Sequence, residues 1–131
     1  MSRRTAIIAS NGGLSDAYKV FNIATAAAAT DQEAAIFFTF EGLNLIHKEG
    51  NKQLSMPEGK EHFAEGFAKA NVPSIPELAA MAKEMGVTFI GCQMTMDVMG
   101  LTTDDFIDGI EVGGAVTFLE FAKDADVTLT F

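Results

Sequence analysis

Apolar positions along the chain fall into short continuous runs that alternate with longer segments of helical spacing. Thr5 to Ser10 is a β-leaning run closed by Asn11-Gly12-Gly13. Beyond that turn Ala17, Val20, Phe21, Ala24 and Ala28 recur at the spacing of one helix face. Ala34 to Phe40 is again continuous, too short for a typical helix and bounded by charges, which predicts a strand buried on both faces. A short helix is expected to start within Gly42 to His47. The stretch from Lys48 to Ser74 holds Gly50, Pro57, Gly59 and Pro73 and reads as an excursion from the sheet, with room for a helix over Glu61 to Ala70.

From Ile75 the pattern tightens. Pro76 suits a first helical turn, Leu78, Ala79, Ala82 and Met85 share a face, and Gly86 supplies the stop. A strand is expected at Val87 to Gly91, then a short helix from Cys92 to Met99 ended by Gly100, and another short one capped by Thr102 or Thr103 and running through Asp105 to Ile107. A brief strand at Ile110 to Val112 precedes Gly113 and Gly114, which open a last helix with Val116, Leu119 and Phe121 to Ala122 turned inward. Val127 to Phe131 closes the chain as a fifth strand. Strands alternating with helices predict one α/β domain over residues 1–131, a five-stranded, mainly parallel sheet with helices on both faces.

Composition narrows the possible roles. The 131 residues are 48% apolar, enough for one enclosed core. Eighteen acidic residues against nine basic ones give a net charge of −9 with no basic stripe, so a phosphate backbone would be repelled and nucleic acid is excluded as a partner. The most apolar stretch, Val20 to Phe40, is split by Asp31, Gln32 and Glu33 into pieces too short to cross a bilayer, and no membrane span is expected. Met-Ser-Arg-Arg-Thr leads into a strand-like run without a cleavage site, which points to the cytoplasm. A single cysteine cannot form an internal disulfide and fits a reducing compartment.

That cysteine is the main candidate for chemistry. In open parallel sheets the working site lies beyond the carboxyl ends of the strands, and Cys92 falls there, directly after a strand and at the start of a helix, where free N–H groups and the helix dipole favour a thiolate. The other reading is buried packing, since free cysteine often behaves as a small hydrophobe. There is no second cysteine for a Cys-x-x-Cys pair, and His47 and His62 are distant in sequence and expected at the surface. Asn11, Gly12 and Gly13 form a turn whose N–H groups could hold an anion, or whose glycines simply meet a backbone need. Met81, Met85, Met94, Met96 and Met99 crowd the sequence around Cys92; a Cu(I) site is one reading, core packing the other, and no metal or cofactor is expected. Asp97, in the same short helix, could tune the thiol or accept a hydrogen bond.

The segment Gly91-Cys92-Gln93-Met94-Thr95-Met96-Asp97-Val98-Met99-Gly100 resembles the DsrE/DsrF-like family of sulfur-handling proteins. Asp16-Ala17-Tyr18-Lys19 before an alanine-rich helix, Phe37-Phe38-Thr39-Phe40 followed by Gly42-Leu43-Asn44-Leu45, and Asp108 to Gly114 extend the resemblance over nearly the whole chain. It implies a three-layer, five-stranded fold, homo-oligomers, and a cysteine that carries sulfur as a persulfide or bound thiosulfonate between donor and acceptor proteins, rhodanese-like or TusA-like. Cys92 matches that cysteine. In this reading the N–H groups around Gln93 and Met94 steady negative charge and the Asn11 to Gly13 turn cradles thiosulfate oxygens. Glu41 stands where an aromatic residue is expected, and a carboxylate beside Cys92 would raise its pKa. The contrasting expectation is a non-catalytic oligomeric scaffold in which Cys92 is structural.

Overall fold

The computed structural model describes residues 3–131. Five strands, β1 (Arg4–Ala9), β2 (Glu33–Phe38), β3 (Thr88–Cys92), β4 (Ile110–Gly113) and β5 (Val127–Thr130), form one sheet in the order β4-β3-β2-β1-β5. Every pairing is parallel, so each connection must cross back over the sheet, and helices do so. The helices are α1 (Leu14–Ala29), α2 (Phe63–Lys69), α3 (Ile75–Glu84), α4 (Gln93–Met99) and α5 (Ala115–Ala122).

Alternation along the strands sorts the core into two layers. Ile36, Phe38 and Phe89 face α1 and α3, where the rings of Phe21, Phe38 and Phe89 lie 5.3–6.2 Å apart. Ala6, Phe37, Ile90 and Cys92 cluster on the other side with Phe118 of α5, whose ring stacks on Phe37 at 5.5 Å. β2 is therefore buried on both faces, as its unbroken apolar run predicts.

Several details differ from the sequence reading, among them the short helix expected through Ile107, which ends at Asp105 as Phe106 turns extended and bridges to His47. In α5 the inward residue is Phe118, while Val116 and Leu119 are 74% and 60% exposed. Phe118 shares a helix face with Phe121 and Ala122 three and four residues on, and Val116 with Leu119 occupies another. Met85 is exposed because α3 ends at Glu84, one residue before the buried stripe of Ile75, Leu78, Ala79 and Ala82 would reach it. β2 stops at Phe38 rather than Phe40, since Phe40 adopts a φ of 50° and turns the chain into a 3₁₀ helix over Phe40–Leu45. That helix closes on β1 at Gly42, where a Cβ would stand 1.9 Å from the Ala9 carbonyl oxygen and only glycine fits.

The excursion from 48 to 74 holds a 3₁₀ turn at Gly50–Lys52 and the two-turn α2, which has no buried residue. It is tied down where Phe67 stacks on Tyr18 at 4.5 Å and the Tyr18 hydroxyl donates to the Pro73 carbonyl at 3.0 Å. Ser74 then caps α3, its hydroxyl oxygen accepting from the Glu77 N–H.

Candidate functional site

Cys92 is both the last residue of β3 and the N-cap of α4, in extended conformation. The strand alternation that sends Phe89 toward α1 sends Ile90 and Cys92 toward α5, into a cluster with Phe37 and Phe118, and leaves Cys92 only 5% exposed. The register that pairs Phe38 with Gly91 brings Thr39, the next residue, abreast of Cys92.

Burial alone would raise the thiol pKa, and it is the largest single influence here. Four donors outweigh it together: the Thr95 hydroxyl, the Thr39 hydroxyl and the backbone N–H groups of Thr95 and Met94, with the net result that the pKa is lowered. None of the amides closes a cap hydrogen bond to the side chain of Cys92 in the structure. The ionised form is the one these donors favour. No charged group enters the balance.

Thr95 joins the two sides of this site. It is 3% exposed, its Oγ1 accepts the Phe40 N–H at 3.2 Å and lies 3.4 Å from Thr39 Oγ1. Neither threonine stands out in the sequence. Thr95 does occupy N3 of α4, the place from which a capping-box side chain reaches back to its N-cap, and that spacing is a readable signal. Thr39 emerges only once β2 and β3 are paired.

The other sequence candidates are distributed around this centre. The Gln93 side chain turns to Asp97, its Nε2 donating to Oδ1 at 2.8 Å, and both are exposed. The Met94 side chain is exposed too, so that residue offers only its amide to the sulfur. Asn11, Gly12 and Gly13 follow β1, two strands from β3, which is about 10 Å from Cys92 at ordinary strand spacing. A Cβ at Gly13 would meet the Asp16 carboxylate at 2.9 Å, and the Leu14 N–H is already bonded to the Ser55 carbonyl. This turn thus faces a carboxylate of its own.

A cavity of about 420 Å³ opens beside the same strand ends, with Gly12, Phe40, Glu41, Leu43, His47 and Met99 among its walls. Cys92 and Asp97 do not line it, and Glu41 makes no contribution to the thiol pKa. His47 is half-buried rather than a plain surface residue: its Nδ1 accepts the N–H groups of Glu49 and Gly50 at 3.1 and 3.0 Å, fixing the ring. The methionines do not converge on Cys92. Met81 lies on α3 and Met85 just past its end, across the sheet, Met94 and Met99 are exposed, and Met96 is buried in the α1 layer. Among the described residues no three of His, Cys, Asp and Glu are grouped to hold a metal ion, and no helix is long and apolar enough to cross a membrane.

The sequence pattern of the DsrE/DsrF/DrsH-like family matches residues 1–69 and 58–130, two stretches that overlap and together span almost the whole chain. The chain belongs to this family. Among its relatives is a protein named sulfur carrier protein DsrE2 from Allochromatium vinosum, 36% identical over 154 aligned residues that take in 97% of each chain. An uncharacterised protein, YrkE of Bacillus subtilis, is 33% identical over 98% of this chain and 96% of its own. In three dimensions the fold matches that of the ychN protein from E. coli, with a TM-score of 0.70 at 18% identity over the full length of both chains. It also matches a protein of unknown function, MTH1491, from Methanobacterium thermoautotrophicum, with a TM-score of 0.65 at 12% identity. The five-stranded, three-layer α/β fold expected for a DsrE/DsrF-like chain is thus the fold observed.

Proposed function

We propose that this protein is a sulfur carrier that holds sulfane sulfur on Cys92, as a persulfide or thiosulfonate, and passes it from a donor protein to an acceptor. The observation that carries the reading is a lone thiol at the β3–α4 junction whose pKa four donors lower, in a chain related over its length to a protein named a sulfur carrier. A thiolate is the nucleophile in sulfur exchange, so a depressed pKa raises the reactive fraction.

The transfer balances without an external oxidant. Cys92 thiolate attacks the outer sulfur of a donor persulfide; the donor's S–S bond breaks as the new one forms, the donor departs as a thiolate, and the terminal hydrogen stays with the transferred sulfur. Tetrathionate would react in the same way, expelling thiosulfate and leaving a thiosulfonate on Cys92. An acceptor thiolate then repeats the exchange. The amides of Met94 and Thr95 steady the charge on Cys92, while Asn11, Gly12 and Gly13 take no part, because Asp16 at the same turn repels an oxoanion. Donor and acceptor are read as rhodanese-like or TusA-like thiol proteins and the compartment as the cytoplasm, where a single thiol stays reduced. A homo-oligomer belongs to the same reading, with α5 offering Val116 and Leu119 to solvent.

Burial in an apolar cluster favours a second reading, a scaffold in which Cys92 is packing. Intact-mass measurement after exposure to polysulfide or tetrathionate separates the two. A sulfur adduct on the wild type that is missing from Cys92→Ser is expected for the carrier. An unmodified protein whose native thiol also resists iodoacetamide would sink it.

A further inference from the structure

The cavity of about 420 Å³ at the strand ends has the size of a small-molecule site, and Cys92 lies outside its walls. Its polar groups come from one stretch of chain. A 3₁₀ helix completes a turn in three residues, so Glu41 and Asn44 stand above one another on one face of the Phe40–Leu45 helix, and His47 follows three residues on. The imidazole is held from behind. Its Nδ1 accepts the N–H groups of both Glu49 and Gly50, at 3.1 and 3.0 Å, and the ring meets that of Phe106 nearly at right angles, 6.0 Å between centroids. An Nδ1 that accepts carries no hydrogen, so the ring hydrogen is on Nε2. Nε2 therefore has no lone pair for a metal ion or for a substrate's proton. It can only donate, and among the described residues it donates to nothing.

Glu41 supplies the opposite chemistry. It is exposed on the cavity wall, and among the described residues its carboxylate forms no salt bridge. An anion would be repelled by it and by the net charge of −9, whereas a cation is drawn by both. Phe40, 53% exposed on the same wall, adds an aromatic ring, which also suits a cation, while Met99 and Leu101 are apolar. We propose that this cavity binds a small organic ammonium compound that carries a carbonyl oxygen and an apolar group. The ammonium pairs with Glu41, the carbonyl accepts from His47 Nε2–H, and the apolar group lies against Met99 and Leu101. Binding here does not depend on sulfur transfer at Cys92.

Leucinamide has all three features and serves as the probe. Titrated into the isotope-labelled full chain and followed by amide NMR shifts, it is expected to bind saturably and to move the resonances of Gly12, Glu41 and Met99. N-acetyl-leucine, an anion without the ammonium, should not bind, and isopentylamine, which lacks the carbonyl, should bind about fivefold more weakly. Glu41→Gln should weaken leucinamide about fivefold as well. His47→Asn keeps a side-chain oxygen for the two turn amides but loses Nε2–H, and should bring leucinamide down to the level of isopentylamine. If that variant does not fold, the comparison of the two amines on wild type reads the same hydrogen bond. Shifts that do not saturate or that fall away from the cavity overturn the proposal. So do N-acetyl-leucine binding as well as leucinamide, wild-type affinity in Glu41→Gln, or equal affinity of the two amines for wild type.

Discussion

A thiol only 5% exposed loses water that would stabilise its charge, yet the pKa of Cys92 is lowered because hydroxyl and amide donors favour the charged form. The sign of the pH effect follows. A pKa lower in the folded than in the unfolded chain adds stability that is full above the unfolded value of about 8.5 and is lost as pH falls through the folded one. Wild type is therefore expected to gain stability relative to Cys92→Ala as pH rises toward 8.5, with no further relative gain above it. Urea unfolding at a series of pH values checks this, and a difference between the two proteins that does not change with pH would contradict it.

At the scale of elements, α5 decides how well the thiol is covered. It is an eight-residue helix with one buried side chain, Phe118, stacked on Phe37 in the cluster that contains Cys92. Such a short helix has little intrinsic stability and depends on that anchor. Phe118→Ala is expected to cost about 3 kcal/mol and to speed alkylation of Cys92, whereas Val116→Ala, at a 74% exposed position, should change stability by less than about 0.5 kcal/mol. Thermal melts and iodoacetamide kinetics on the two variants test the contrast. Equal alkylation rates in wild type and Phe118→Ala would show that the thiol is reached by another route.

Over the whole molecule the two faces of the sheet are covered unequally. α1 and α3 pack together over one, while the eight-residue α5 lies over the other, and Val98, Val116 and Leu119 remain largely exposed on α4 and α5. Large apolar side chains left exposed on a chain of net charge −9 fit the homo-oligomer proposed above. If a second copy covers them, as proposed, light scattering should give a mass above that of one chain, and Val116→Asp with Leu119→Asp should lower it without unfolding the protein. A wild-type mass of one chain would refute that part of the reading.

Much of this arrangement was legible in the residues alone, because the relevant forces are local. Unbroken apolar runs such as 34–38 identify doubly covered strands, the 17-20-21-24 spacing identifies a helix face, and Gly86 and Gly100 mark helix ends at positive φ that side chains avoid. The position of Cys92 between a strand and a helix follows from the same patterns. Which groups act on its sulfur does not: Thr39 is more than fifty residues away in the chain, and only the parallel register of β2 with β3 brings it alongside. The inward turn of Phe118 instead of Val116, and the separation of Glu41 and the methionines from the thiol, were likewise settled by packing. Periodicity records what a segment must bury, but hydrogen bonds and pKa shifts depend on distances between segments, and those exist only after the sheet has formed.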